Sequence, residues 1–202
     1  MVIDPRPHLR HAALAACAAL ALAGCAKPLH WDMDDVGAQM APLQFNDLRS
    51  GDGTLVSAQH YRGKVVAVYF GYTHCPDICP LTMSHLASAV QQLGPDAKDV
   101  RILFVTVDPR RDTPAVLRAY AAAFSPEARG LTGTAAQIKA LAGRYHVAYS
   151  YGKPDSHGNY TVTHSAAIYV FDEKGNGRLI GTEATPPAEI AHDLKQLVQL
   201  GA

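Results

Sequence analysis

Residues 71–80 read Gly-Tyr-Thr-His-Cys-Pro-Asp-Ile-Cys-Pro. An apolar run, Val65-Val66-Ala67-Val68-Tyr69-Phe70, leads into this decapeptide. Its β-branched and aromatic residues, with few polar interruptions, indicate a strand covered on both faces. After it, Leu81, His85, Leu86, Ala89, Val90 and Leu93 recur at three-to-four spacing up to Gly94-Pro95. That pattern predicts a helix with Pro80 at its first position and Cys79 as N-cap. Two thiols therefore stand at a strand-to-helix turn, where cysteine closes a disulfide, attacks as a thiolate or ligates a soft metal.

Working outward, residues 43–62 alternate apolar and polar around Ser50-Gly51-Asp52-Gly53, the pattern of a β-hairpin. A second buried strand is expected at 101–107. Pro114 then opens a helix whose apolar positions are Val116, Leu117, Tyr120 and Phe124. A further helix is expected over 134–145 with Thr134 as N-cap. Strand signals return at 147–151, 166–171 and 178–181, and an amphipathic helix over 186–200 closes the chain. The order is hairpin, β-α-β-α, another α, a β-hairpin and a final α. This is an α/β chain on the thioredoxin-like plan, with an N-terminal β-hairpin and a mid-chain insertion.

The first 24 of the 202 residues read as a secretory signal rather than as fold. Arg6 and Arg10 precede an apolar stretch, Ala12 to Ala23, that ends in Leu22-Ala23-Gly24-Cys25. The stretch is shorter than the roughly 20 apolar residues a membrane-spanning helix needs. Leu-Ala-Gly-Cys looks like a bacterial lipobox, which makes Cys25 the lipidated first residue of the mature protein. An ordinary signal with an incidental cysteine is the alternative. Residues 25–42, polar and carrying Pro28 and Pro42, read as a flexible tether, and 43–202 as one domain. The localisation expected is the bacterial cell envelope, with a membrane-anchored lipoprotein on the periplasmic or extracytoplasmic side.

Removing Arg6, Arg10 and Asp4 reduces 18 basic and 18 acidic residues to 16 and 17, a net charge near −1. No basic tract offers a footprint for phosphates, so nucleic acid is not an expected partner. Of the four cysteines, Cys17 lies in the signal and Cys25 at its end. Cys75 and Cys79 remain in the domain, in a compartment that permits disulfides.

Positions four apart lie on one helical face with Cα atoms about 6 Å apart, close enough for a Cys75–Cys79 disulfide. The unpaired amides and positive dipole end of the helix favour thiolate over thiol. As a mere staple the bridge would be weak, because closing so small a loop removes little chain entropy. A metal site needs a third ligand, and the chain has ten histidines. His85 falls on the apolar stripe of its helix. His74 adjoins Cys75, but neighbouring side chains in an extended turn point apart. His164, in Tyr160-Thr161-Val162-Thr163-His164-Ser165, precedes the strand at 166–171. In a thioredoxin-like fold the loop entering that strand faces the N-terminus of the first helix, so His164 is the expected third ligand.

Gly71 to Pro80 resembles the signature of the Sco (SenC/PrrC) family of copper-binding assembly proteins. Two further segments agree: Val107-Asp108-Pro109-Arg110-Arg111-Asp112-Thr113-Pro114, and His164-Ser165-Ala166-Ala167-Ile168-Tyr169 leading to Asp172 and Gly175. The resemblance covers residues 43–200. It implies a thioredoxin-like, membrane-tethered copper metallochaperone that binds one copper through Cys75, Cys79 and His164. It also implies service to the binuclear copper centre of cytochrome c oxidase. The implied partners are the copper-bearing subunit of that oxidase, a periplasmic copper donor and a thioredoxin-like reductant. Thr163 departs from the Asp the family often has there. Asp108 and Asp112 receive no ligand role, and Asp112-Thr113-Pro114 also reads as an ordinary helix start.

Ligand chemistry agrees with copper: two thiolates and an imidazole suit Cu(I) and can hold Cu(II), whereas hard cations want oxygen. Zinc accepts the same groups, but no His-Glu-x-x-His or similar arrangement supplies a hydrolytic base. The rival reading is an enzyme, a thiol-disulfide oxidoreductase or thiol peroxidase using Cys75 and Cys79 as its redox pair. Thioredoxin-type reductases place two residues between their cysteines and a proline at the distal loop. This chain has three and an imidazole.

Overall fold

A computed structural model describes residues 29–201 of the chain. The strands are β1 (Asp34–Asp35), β2 (Leu48–Ser50), β3 (Leu55–Val56), β4 (Val65–Gly71), β5 (Val100–Thr106), β6 (Ala128–Thr132), β7 (Tyr149–Tyr151), β8 (Val162–His164), β9 (Ile168–Phe171) and β10 (Gly177–Gly181). The helices are α1 (Ile78–Gln92), α2 (Pro114–Ala122), α3 (Ala135–Arg144) and α4 (Pro187–Gly201). Eight strands form one sheet in the order β1-β10-β9-β4-β5-β6-β2-β3, while β7 and β8 pair apart from it.

All seven residues of β4 are buried. Successive side chains of a strand point to opposite faces, so both faces of β4 are covered, as its unbroken apolar run requires. β4 runs parallel to β5 in register from Val65↔Val100 to Gly71↔Thr106, with α1 as the crossover. β9 then lies antiparallel to β4, and β10 antiparallel to β9. The order β5-β4-β9-β10 with the crossover helix α1 is the thioredoxin-like core, and α4 packs against α1. The expected hairpin is β2–β3. The insertion between β5 and β9 holds α2, β6, α3 and the β7–β8 hairpin. Thr134 caps α3 as expected, through a reciprocal bond with Gln137.

Two expectations need correction. Residues 31–42, read as tether, are packed onto the domain. Asp34 and Asp35 pair with Ile180 and Leu179, Met33 and Met40 are buried, and Asp193 accepts the amide of Met33 at 2.8 Å. Isolated apolar residues without a period hold this segment, so no periodicity revealed it. The second correction is β6, whose Arg129-Gly130 centre hid a strand parallel to β5. Residues 1–24 and Cys25 lie outside the described residues. Among the described residues, no helix is long and apolar enough to cross a membrane.

Candidate metal centre

The thiol loop lies where parallel strands β4 and β5 end, the edge at which open α/β sheets place their ligands. Gly71 closes β4, and α1 begins at Ile78 with Asp77 as its N-cap residue. The helix thus starts two residues earlier than the sequence suggested, and Cys79 sits inside its first turn instead of capping it. Proline costs nothing there, because no amide of the first turn has an acceptor within the helix. One such amide, that of Cys79, points instead at the Cys75 sulfur, 3.4 Å away. Cys79 is fully buried and Cys75 partly so, and both are free thiols.

Gly71 is glycine for a steric reason. A Cβ there would stand 2.8 Å from the Phe104 ring and 2.9 Å from the Cys79 sulfur. The strand must approach the thiol closely, and only a residue without a side chain allows it.

His164 ends β8, opposite Tyr149 of β7, and lies in a short strand where a loop was expected. Its Nε2 is 3.3 Å from the Cys79 sulfur. Its Nδ1 is 2.9 Å from the carbonyl oxygen of Ser165. A carbonyl can only accept, so the network assigns the proton to Nδ1 and leaves the Nε2 lone pair facing the thiols. This carbonyl orients the ring in the way a carboxylate often does at metal-binding histidines, which answers for the Thr163 departure. The rings of Tyr69 and Tyr72 meet the imidazole edge-on, at centroid distances of 6.1 and 5.9 Å. The donor atoms of Cys75, Cys79 and His164 all lie within 4.8 Å of one another.

The two thiols differ in acidity. Burial works against the Cys75 thiolate, but the amides of Asp77, Cys79 and Ile78, with the Cys79 thiol, outweigh it and lower its pKa. Burial, with the negative potential of Cys75, pushes Cys79 up to about 12. The expected pull of the helix N-terminus toward thiolate therefore acts at Cys75 alone. Tyr69, kept protonated chiefly by burial, donates its hydroxyl toward the Cys79 sulfur at 3.8 Å.

Of the other residues singled out, His74 is half-exposed and stands 3.1 Å from the Thr73 hydroxyl, outside the donor cluster. His85 remains on α1, with its Nδ1 buried. Asp112 does more than open a helix. It is fully buried and accepts the amide and hydroxyl of Thr73 at 3.0 and 2.6 Å and the Thr106 hydroxyl at 2.6 Å. It ties the thiol loop to the end of β5. A carboxylate just before Thr-Pro looks like routine capping, so the sequence carried no sign of this role.

The sequence model of the SCO1/SenC family matches residues 41–199. The chain belongs to the SCO1/SenC family. It is 46% identical over 117 residues to the mitochondrial SCO2 homolog of Bos taurus, covering 57% of this chain and 44% of that protein. The chain thus matches less than half the length of that relative. Among solved structures, Bradyrhizobium japonicum ScoI with copper bound superposes with a TM-score of 0.70 at 35% identity, covering 78% of this chain and 98% of that one. BsSco, a Sco-family cytochrome c oxidase assembly protein in which a disulfide switch was identified, has a TM-score of 0.63 at 25% identity, covering 83% and 98%. Relatives thus span bacteria and mitochondria, and the fold is that of thioredoxin-like Sco proteins.

Proposed function

We propose that this SCO1/SenC protein is a copper metallochaperone that holds one copper ion between Cys75, Cys79 and His164. It delivers that ion to the binuclear copper centre of cytochrome c oxidase. The observation that carries the reading is the convergence of two sulfurs and an imidazole nitrogen within 4.8 Å. Soft sulfur donors with one imidazole fit Cu(I) and tolerate Cu(II). Copper-bound ScoI and the oxidase-assembly role of BsSco support the same assignment.

The residues divide the work. Cys75, only partly buried and the more acidic thiol, meets an incoming ion first. Cys79 is protonated at neutral pH and gives up its proton only as the metal binds, so loading releases protons. His164 completes the set from the opposite side. A disulfide has no comparable donor, so oxidation of the Cys75–Cys79 pair and copper occupancy exclude each other. Oxidised protein needs a thioredoxin-like reductant before it can accept copper from a periplasmic donor. The lipobox at Leu22–Cys25 supports attachment to the envelope through lipidated Cys25.

A second reading has its own observation. An accessible, acidic Cys75 beside a buried, protonated Cys79 is the asymmetry of an attacking and a resolving thiol. It supports reduction of a target's cysteines by the same pair. An anaerobic Cu(I) titration of the reduced chain distinguishes the two. One tightly held copper per chain, with both thiols protected from alkylation, supports the chaperone; thiol exchange indifferent to copper supports the oxidoreductase alone.

A further inference from the structure

The β7–β8 hairpin that carries His164 shares no ladder with the eight-stranded sheet. Beyond its chain connections to α3 and β9 and the buried Val162, the hairpin is held over the thiols by side chains that converge on the turn between β5 and α2. Asp108, in that turn, is fully buried. One of its oxygens accepts the hydroxyl of Tyr160 at 2.9 Å, and the other pairs with Nε of Arg111. Arg111 also donates Nη1 to the Tyr160 carbonyl at 3.0 Å and lays its guanidinium 3.8 Å over the Tyr160 ring. The same guanidinium lies 5.7 Å from the ring of Tyr72, which itself borders His164. A second tie runs from the Tyr151 hydroxyl to the Val107 carbonyl at 2.6 Å, and Tyr151 is the register partner of Val162.

We propose that Arg111 is a positioning residue for His164: it clamps Tyr160 to Asp108 and so holds the hairpin that aims the imidazole at Cys79. The thiol loop hangs on the same turn through Asp112 and Thr73. One short turn thus sets both halves of the site, with Asp112 fixing the sulfurs and Arg111 fixing the nitrogen. Arginine suits the task because its planar group can pair, donate sideways and stack at once, which lysine cannot do. Nothing in the Val107–Pro114 segment marks this coupling, since its other end lies 49 residues away in the chain.

This inference rests on the three-ligand copper reading, and the test separates the two. The reduced full-length chain is compared with Arg111→Lys, Tyr160→Ala and His164→Ala, and with each of the first two combined with His164→Ala. Tyr160→Ala leaves the buried Asp108–Arg111 pair in place, and so guards against simple unfolding of the Arg111 variant. Cu(II) affinity, read from sulfur-to-copper absorption, should fall on the order of tenfold or more in both single variants, as when support of a metal-binding histidine is lost. Cu(I) affinity should change far less. In the His164→Ala background neither substitution should add a further loss, because coupled residues are non-additive. Equal losses in both backgrounds, or unchanged Cu(II) absorption in the single variants, would overturn the proposal. If His164→Ala binds copper as the parent does, the ligand reading fails instead. The positioning claim is then decided without metal, by proton NMR contacts between the His164 and Tyr72 rings. Their loss in Tyr160→Ala supports it, and their persistence refutes it.

Discussion

His164 Nε2 stands 3.3 Å from the sulfur of Cys79, a contact between residues 85 apart in the chain. The Ser165 carbonyl fixes which ring nitrogen makes it. Replacing His164 with alanine removes the only nitrogen donor of the cluster and leaves both thiols. Copper binding should weaken strongly, and more for Cu(II) than for Cu(I), which two thiolates alone can hold. The Cys75–Cys79 disulfide should still form on oxidation. Competition titrations in both oxidation states check this, and parent-like binding of both ions would make His164 structural.

The unequal acidity of the thiols gives a pH-dependent outcome. The thiolate is the reactive species, so the thiol with the lowered pKa reacts first. In the metal-free reduced chain at neutral pH, an alkylating reagent should label Cys75 well before Cys79. Raising the pH should bring Cys79 into reaction only as its pKa, pushed up to about 12, is approached. Bound copper should protect both. Peptide mapping by mass spectrometry reads the order directly, and equal labelling at pH 7 would contradict the environments described.

Gly71→Ala tests how closely the strand must approach the thiol. Its new methyl would meet the Phe104 ring and the Cys79 sulfur at 2.8 and 2.9 Å. Overpacking of this kind costs about 1–3 kcal/mol, and relief by moving the sulfur would spoil the donor cluster. A lowered melting temperature together with weakened Cu(I) affinity is the expected pair of effects. Parent-like copper affinity would show that the strand does not set the sulfur's position.

Much of this arrangement was legible in the chain because its elements carry strong local signals. The apolar run of β4, the spacing along α1 and the Thr134 N-cap each determine an element without help from distant residues. β6 escaped because its strand is short and its centre is glycine. A Cβ at Gly130 would stand 2.6 Å from the Leu117 Cβ, so the glycine serves helix packing, not strand propensity. The N-terminal segment escaped because its grip comes from single residues such as Met33 and from Asp193, 160 positions away. At the site, Cys75 and Cys79 stood out by their spacing at a strand-to-helix turn, and His164 by its place before the strand at 166–171 and by the Sco resemblance. Asp112 and Arg111 did not, since their work lies in contacts that only folding creates.

The central claim is that this chain carries copper to cytochrome c oxidase through its paired thiols. The most direct measurement is the copper content and activity of the oxidase in cells whose only copy carries Cys75→Ser and Cys79→Ser together, with and without added copper. Under this account the oxidase lacks copper at its binuclear site and loses activity, and excess external copper restores part of both. Normal, copper-replete oxidase in those cells without added copper would contradict it.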